Sequence, residues 1–105
     1  MKTIKLNLYE ALQLSLLLGQ GVEATGNTAL RNLRQALLMS VSIHGISRIQ
    51  AEAVNPIPML QERAIQSLIR QYQGEERTVH GKSVSFLITR QEAVALATQS
   101  HTELA

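Results

Sequence analysis

NTALRNLRQALLMSVSIHGISRIQAEAV, Asn27 to Val54, is the stretch whose reading decides the fold. Leu30, Leu33, Leu37 and Val41 recur at helical spacing, with Arg31, Arg34, Gln35 and Ser42 on the other side, so the first half predicts an amphipathic helix capped by Asn27 or Thr28. Gly45 suits the left-handed position past a helix end, with Ile46 as the apolar residue after it. Ser40 to Ile43 also alternates, which leaves open a strand turning at His44-Gly45. From Ser47 to Val54, Ile49, Ala51 and Ala53 alternate with Arg48, Gln50 and Glu52, which predicts a half-buried strand. No acid lies between Glu23 and Glu52, so Arg31, Arg34 and Arg48 make this the most one-signed part of the chain.

Toward the N-terminus, residues 2–6 alternate as a short strand, and Asn7 with Glu10 has the spacing of a capping box. The helix it opens is expected from Leu8 to about Leu18 and is apolar on most sides, which suits a core centre or a subunit interface. Gly19, Gly21 and Gly26 then predict a helix stop and a loop. Gly21 to Thr28 has the spacing of a phosphate-binding loop, but Asn27 stands where the lysine belongs and a helix precedes it, so a turn before a cap is the better reading.

Toward the C-terminus, Asn55-Pro-Ile-Pro58 is a rigid connection. The helix expected from about Pro58 to Gln73 turns Ala64, Ile65, Leu68, Ile69 and Tyr72 inward, and Glu62, Arg63, Gln66, Arg70 and Gln73 outward; Gly74 ends it. Strands are expected at 77–79 and 83–88, joined around His80-Gly81. Thr89 with Glu92 is a second capping box, opening a helix from Arg90 to about Gln99 and leaving a frayed tail at 100–105.

Two internal echoes accompany these elements. Asn7 to Leu14 parallels Thr89 to Leu96, each a strand feeding a capped helix. Leu33-Arg34-Gln35 and Ile43-His44-Gly45 return 36 positions later as Ile69-Arg70-Gln71 and Val79-His80-Gly81, as two helix-then-strand units would require.

Composition narrows the function. At 105 residues and 45% apolar the chain is one folded domain. It has no Cys, which excludes disulfides, thiolate zinc sites and a Cys nucleophile. All eight acids are Glu, which disfavours magnesium-dependent phosphoryl transfer. Tyr9, Tyr72 and Phe86 are the only aromatics, too few for base-stacking platforms. The three histidines read as solvated turn or tail residues, and neither HExxH nor GxSxG occurs. Asn7, Glu10 and Gln13 break the leucine-rich run that follows Lys2 and Lys5 in the manner of a signal peptide, and nothing approaches the roughly 20 apolar residues of a membrane span.

These readings predict one α+β domain of order β-α-α-β-α-β-β-α, with a small, mostly antiparallel sheet covered by helices. The expected protein is cytoplasmic and non-enzymatic, has no cofactor and no membrane contact, and acts by binding a larger protein partner. Regulators, subunits and the small inhibitors of phages and mobile elements are such proteins. The alternative is a nucleic-acid-binding regulator using Arg31 and Arg34 in helix-turn-helix fashion, against which stand a net charge of only +2 and a long loop from Gly19 to Asn27. Candidate contact residues are Arg31, Arg34, Gln35, Arg48, Arg63, Gln66 and Arg70. Homo-oligomerisation is expected to use the Leu8–Leu18 helix.

Overall fold

The computed structural model describes residues 1–104. Two strands, β1 (Lys2–Asn7) and β2 (Ser83–Ile88), bring the two ends of the chain together. They pair antiparallel, with Ile4 opposite Phe86 and Leu6 opposite Val84. The period-2 alternation buries Ile4, Leu6, Val84, Phe86 and Ile88 on one face and leaves Thr3, Lys5, Ser83, Ser85 and Leu87 exposed on the other. Five helices follow the α+β expectation: α1 (Leu8–Thr25), α2 (Thr28–Ser42), α3 (Arg48–Glu52), α4 (Pro58–Tyr72) and α5 (Arg90–Gln99). The order is β-α-α-α-α-β-α. None of the helices is long and apolar enough to cross a membrane.

α1 is the centre of the core. It packs against α2, α4, α3 and both strands. Leu8, Ala11, Leu12, Leu14 and Leu18 are buried within the single chain, and Leu16 and Leu17 are half-buried. The capping box at its start forms as its spacing requires: Glu10 N–H donates to Asn7 Oδ1 at 2.8 Å, and Asn7 N–H donates to Glu10 Oε1 at 3.0 Å. Thr89 and Glu92 repeat this at the head of α5. The echo between the two ends is therefore a structural one, a strand running into a boxed helix at each end.

Several expectations give way. α1 does not stop at Leu18 but continues to Thr25, because Gly19 and Gly21 keep helical conformation and only Gly26 takes the left-handed one, φ 66°. A glycine ends a helix when it adopts positive φ; inside a helix it lets a neighbour approach. Ser47 to Val54 is no strand. Ser47 N–H donates to Gln50 Oε1 at 2.9 Å, and Gln50 N–H donates to Ser47 Oγ at 3.2 Å, so a third capping box nucleates α3. Of its alternating apolar residues only Ala51 is buried, while Ile49 is 80% exposed. Over so few residues, alternation and helical spacing are not distinguishable by period alone. Thr78-Val79 is not a strand either, and His80-Gly81 is not a hairpin turn. Consequently the 36-residue echo does not repeat as structure: after His44 the chain enters a helix, after His80 a strand. Of the tail expected to fray, Ala105 lies outside the described residues. Ala97 to Thr102 form a Schellman motif at the end of α5: His101 is left-handed (φ 55°), its N–H donates to Thr98 C=O, and Thr102 N–H donates to Ala97 C=O at 2.9 Å.

The missing third strand has a physical cause at the sheet edges. Buried Gln71 on α4 accepts Lys5 N–H on Oε1 and donates Nε2–H to Lys5 C=O, both at 2.8 Å. Its amide thus stands where a neighbouring strand's peptide group would. On β2, Ser40 Oγ donates to Ser85 C=O at 3.0 Å and His44 Nε2 donates to Ser83 C=O at 2.8 Å. His44 is accordingly half-buried and bonded, in contrast to the solvated turn residue expected. Replacing Gln71 by Met keeps the volume and removes both bonds, leaving the Lys5 peptide unpaired. The expected loss is about 1–3 kcal/mol in urea unfolding; an unchanged midpoint would show that the edge needs no partner.

Candidate docking surface

α2 presents Arg31, Arg34, Gln35, Leu38, Met39 and Ser42 along one stripe, at intervals of one helical turn. With Val22 of α1 and Ile46, Ser47 and Arg48 at the approach to α3, they line a groove of about 500 Å³. The helical form of residues 48–52 is what turns Arg48 toward α2. Four of the seven residues singled out in the sequence therefore meet in one place: Arg31, Arg34, Gln35 and Arg48. The other three, Arg63, Gln66 and Arg70, line a separate groove of about 300 Å³ on α4.

Within the first groove the arginines are not equivalent. Arg34 is 18% exposed; its Nη2 donates to Glu52 Oε1 at 2.7 Å. Its guanidinium lies against Gly19 of α1, so closely that a Cβ there would sit 3.1 Å from Nε and 3.2 Å from Cζ. The glycine read as a helix stop is thus the bed for an arginine. Arg48 Nε donates to the same Glu52 oxygen at 3.0 Å, and its side chain is 66% exposed. The Arg48 hydrogen bond, then that of Arg34, holds the Glu52 carboxyl below the usual carboxylate range against the raising effect of partial desolvation. Arg31 is exposed and has no ion-pair partner among the described residues. The sequence identified the cations but not Gly19 and Glu52, which hold one of them in place; only the i, i+4 spacing of Arg48 and Glu52 hinted at a pair.

The α4 groove is of another kind. Glu10 is fully buried, and its Oε1 meets Arg77 Nη2 at 2.8 Å, while Arg77 Nη1 donates to Ser67 Oγ at 2.7 Å. These contacts fasten the segment after α4 to the core. Glu75 and Glu76 stand with Arg63 and Arg70 on the rim, so the charge there is mixed. A larger concavity, about 940 Å³, lies where α1, α4 and the end of α5 meet; Leu17, Leu18, Ile65 and Leu96 line it with Glu62, His101 and Glu103, and no lysine or arginine. Among the described residues no three metal-ligating side chains gather. Gly21 to Thr28 forms no phosphate cradle: Gly21 is buried in α1, and Asn27 Oδ1 caps α2 by accepting Leu30 N–H at 3.1 Å.

Comparison with protein-family models, with curated proteins and with solved structures finds no match for the chain.

The two helical glycines make opposite predictions. A Cβ at Gly21 meets Leu30 and Gln99 at ordinary distances of 3.5 and 3.6 Å, so Gly21→Ala is expected to stabilise by up to about 1 kcal/mol through helix propensity. Gly19→Ala must displace Arg34 and is expected to show little or no gain, with the Arg34–Glu52 bond weakened; thermal unfolding of the two variants side by side checks this. Glu52 also sets a pH dependence. Its folded pKa lies below 4.5, so its contribution to stability is present above that value and is lost as pH falls through the folded pKa. Glu52→Gln is expected to lower the melting temperature slightly at pH 7, and that difference is expected to disappear on acidification.

Proposed function

We propose that the chain is a non-enzymatic interaction protein, a regulator, subunit or inhibitor that docks on a larger protein through the groove between α2 and α3. The observation that carries this reading is the groove itself. It joins exposed arginine and glutamine side chains to Met39, 66% exposed, with Leu38 and Ile46 half-buried beneath. Ile43 and Ile49, 84% and 80% exposed, extend the apolar surface at the end of α2 and on α3. Arginine and methionine are enriched in protein interfaces, and isoleucine side chains this exposed gain from being covered.

Nucleic-acid binding is the second reading. One fact favours it: only Gly26 and Asn27 separate α1 from α2, so the long loop that argued against a helix-turn-helix does not exist. Against it, α1 and α2 pack together more extensively than any other helix pair, as in an antiparallel hairpin, and Arg34 is held by Glu52. Exposed Tyr9 and the half-buried Leu16 and Leu17 are what the Leu8–Leu18 segment of α1 offers for self-association.

The test combines identification with reconstitution. Proteins retained from the native host by the tagged chain are identified by mass spectrometry, and the leading partner is purified and titrated against the wild type and against Arg31→Glu/Met39→Glu. The variant is expected to bind at least about tenfold more weakly. Equal affinity for the two proteins would move the docking site elsewhere. Wild-type binding to random duplex DNA with a steep salt dependence, lost in the same variant, would favour the second reading.

A further inference from the structure

We infer that the segment received by the α2–α3 groove is an acidic peptide: carboxylate side chains set beside a small apolar cluster, presented by a partner protein. This rests on the docking reading above and names the chemistry of the occupant.

The groove has two ends of different character. At one end stand Arg31, Arg34 and Arg48. Arg34 and Arg31 are about one turn apart on α2, and Glu52 ties Arg48 to Arg34 through a single shared oxygen. At the other end are Leu38, Met39 and Ile46. Leu38 lies one turn beyond Arg34, about 6 Å along the helix axis. An occupant that satisfies both ends therefore carries its acids about one turn from its apolar side chains.

The charge is unbalanced in the right sense. The lining holds three arginines and no acid, and α2 contains no acidic residue. Glu52, just outside the lining, neutralises one of the three and leaves an excess of two guanidinium charges. Arg34 is 18% exposed and lies against Gly19; its Nη2 is given to Glu52 and its Nε is buried without a hydrogen-bond partner. Arg48 uses only Nε, and Arg31 has no partner among the described residues. Their free N–H forks match carboxylates in bidentate geometry. Arg34 positions the site without contacting the occupant: it holds Glu52, and Glu52 holds Arg48 near α2.

A nucleic-acid backbone fits this surface less well. It needs many cations along a track and has no use for an apolar floor, whereas the groove gives two arginines with unused N–H donors, Arg31 and Arg48, and then Met39, Leu38 and Ile46.

The test is a selection of displayed random 16-residue peptides on the full-length chain, followed by anisotropy titrations of the enriched sequences. Acidic peptides bearing apolar residues are expected, with affinity reduced at least about tenfold by Arg31→Glu/Arg48→Glu and by Met39→Glu, and unchanged by Arg63→Glu/Arg70→Glu. The altered side chains are all exposed, and circular dichroism verifies that each variant folds. Enriched peptides that are neutral or basic yet lost in Met39→Glu would overturn the acidic occupant and leave the docking reading standing. No enrichment, or peptides indifferent to all groove substitutions, would overturn both. Tighter binding of a 20-base-pair duplex or of anionic phosphatidylserine vesicles, abolished by Arg31→Glu/Arg48→Glu, would assign the cations to phosphate groups and overturn the peptide.

Discussion

A two-stranded sheet has two open edges and little stability of its own, and the rest of this structure follows from how those edges are closed. The closure is made by side chains. Gln71 offers β1 a donor and an acceptor at the spacing of a peptide group, and Ser40 and His44 offer β2 two donors one turn apart. For Gln71 to reach Lys5, α4 must lie beside β1; for Ser40 and His44 to reach their carbonyls, α2 must lie along β2. The two helices are thereby set on opposite sides, and α1 fills the space between them with the leucines that make it apolar on most sides. Gln13 repeats the device within the loops: its amide donates to Asn55 C=O at 2.7 Å and accepts Ile57 N–H at 2.8 Å, fixing the proline-bounded connection before α4. In each case a buried glutamine satisfies backbone groups that would otherwise be desolvated without partners.

The same geometry accounts for the groove. With α1 central and α2 against it, Gly19 lies where the Arg34 side chain of α2 comes down on α1. The space a side chain would take there is occupied by the Arg34 guanidinium. Arg34 then presents Nη2 to Glu52, and Glu52 draws α3 and Arg48 in beside α2. A packing contact between two helices thus becomes the arrangement of charge on the surface. Exposed ion pairs of this kind contribute little to stability, so their role is to place the guanidinium groups. The Glu10–Arg77 pair differs because Glu10 is fully buried and removal of Arg77 would leave a carboxylate without a counter-charge in the core.

What was legible in the sequence follows the range of the interaction responsible. Capping boxes act over three residues, and those at Asn7–Glu10 and Thr89–Glu92 located α1 and α5 correctly. The one at Ser47–Gln50 has the same signature, but the alternation of Ile49, Ala51 and Ala53 competed with it and suggested a strand. α2 and α4 were readable because their apolar residues keep one period over 15 residues, whereas β1 and β2 alternate over no greater length than Ser47 to Val54, where the same pattern misled. The arginines of the groove could be named from their place opposite the buried stripe and in a stretch without acids, yet Arg63, Gln66 and Arg70 were also read as an outward helix face and line a different groove.

The sequence by itself determined the α+β class, strands β1 and β2, the starts of α1, α2, α4 and α5 and the set of cations, since each depends on residues within a few positions of one another; the strands it also suggested at 47–54 and 77–79 do not form. Only the tertiary structure decided that Gly19 and Gly21 stay helical, that residues 77–79 do not extend the sheet, and which arginines face one groove. Those outcomes depend on contacts between residues distant in the chain, Gly19 with Arg34, Lys5 with Gln71, Arg34 with Glu52, and no local pattern encodes which pairs will meet.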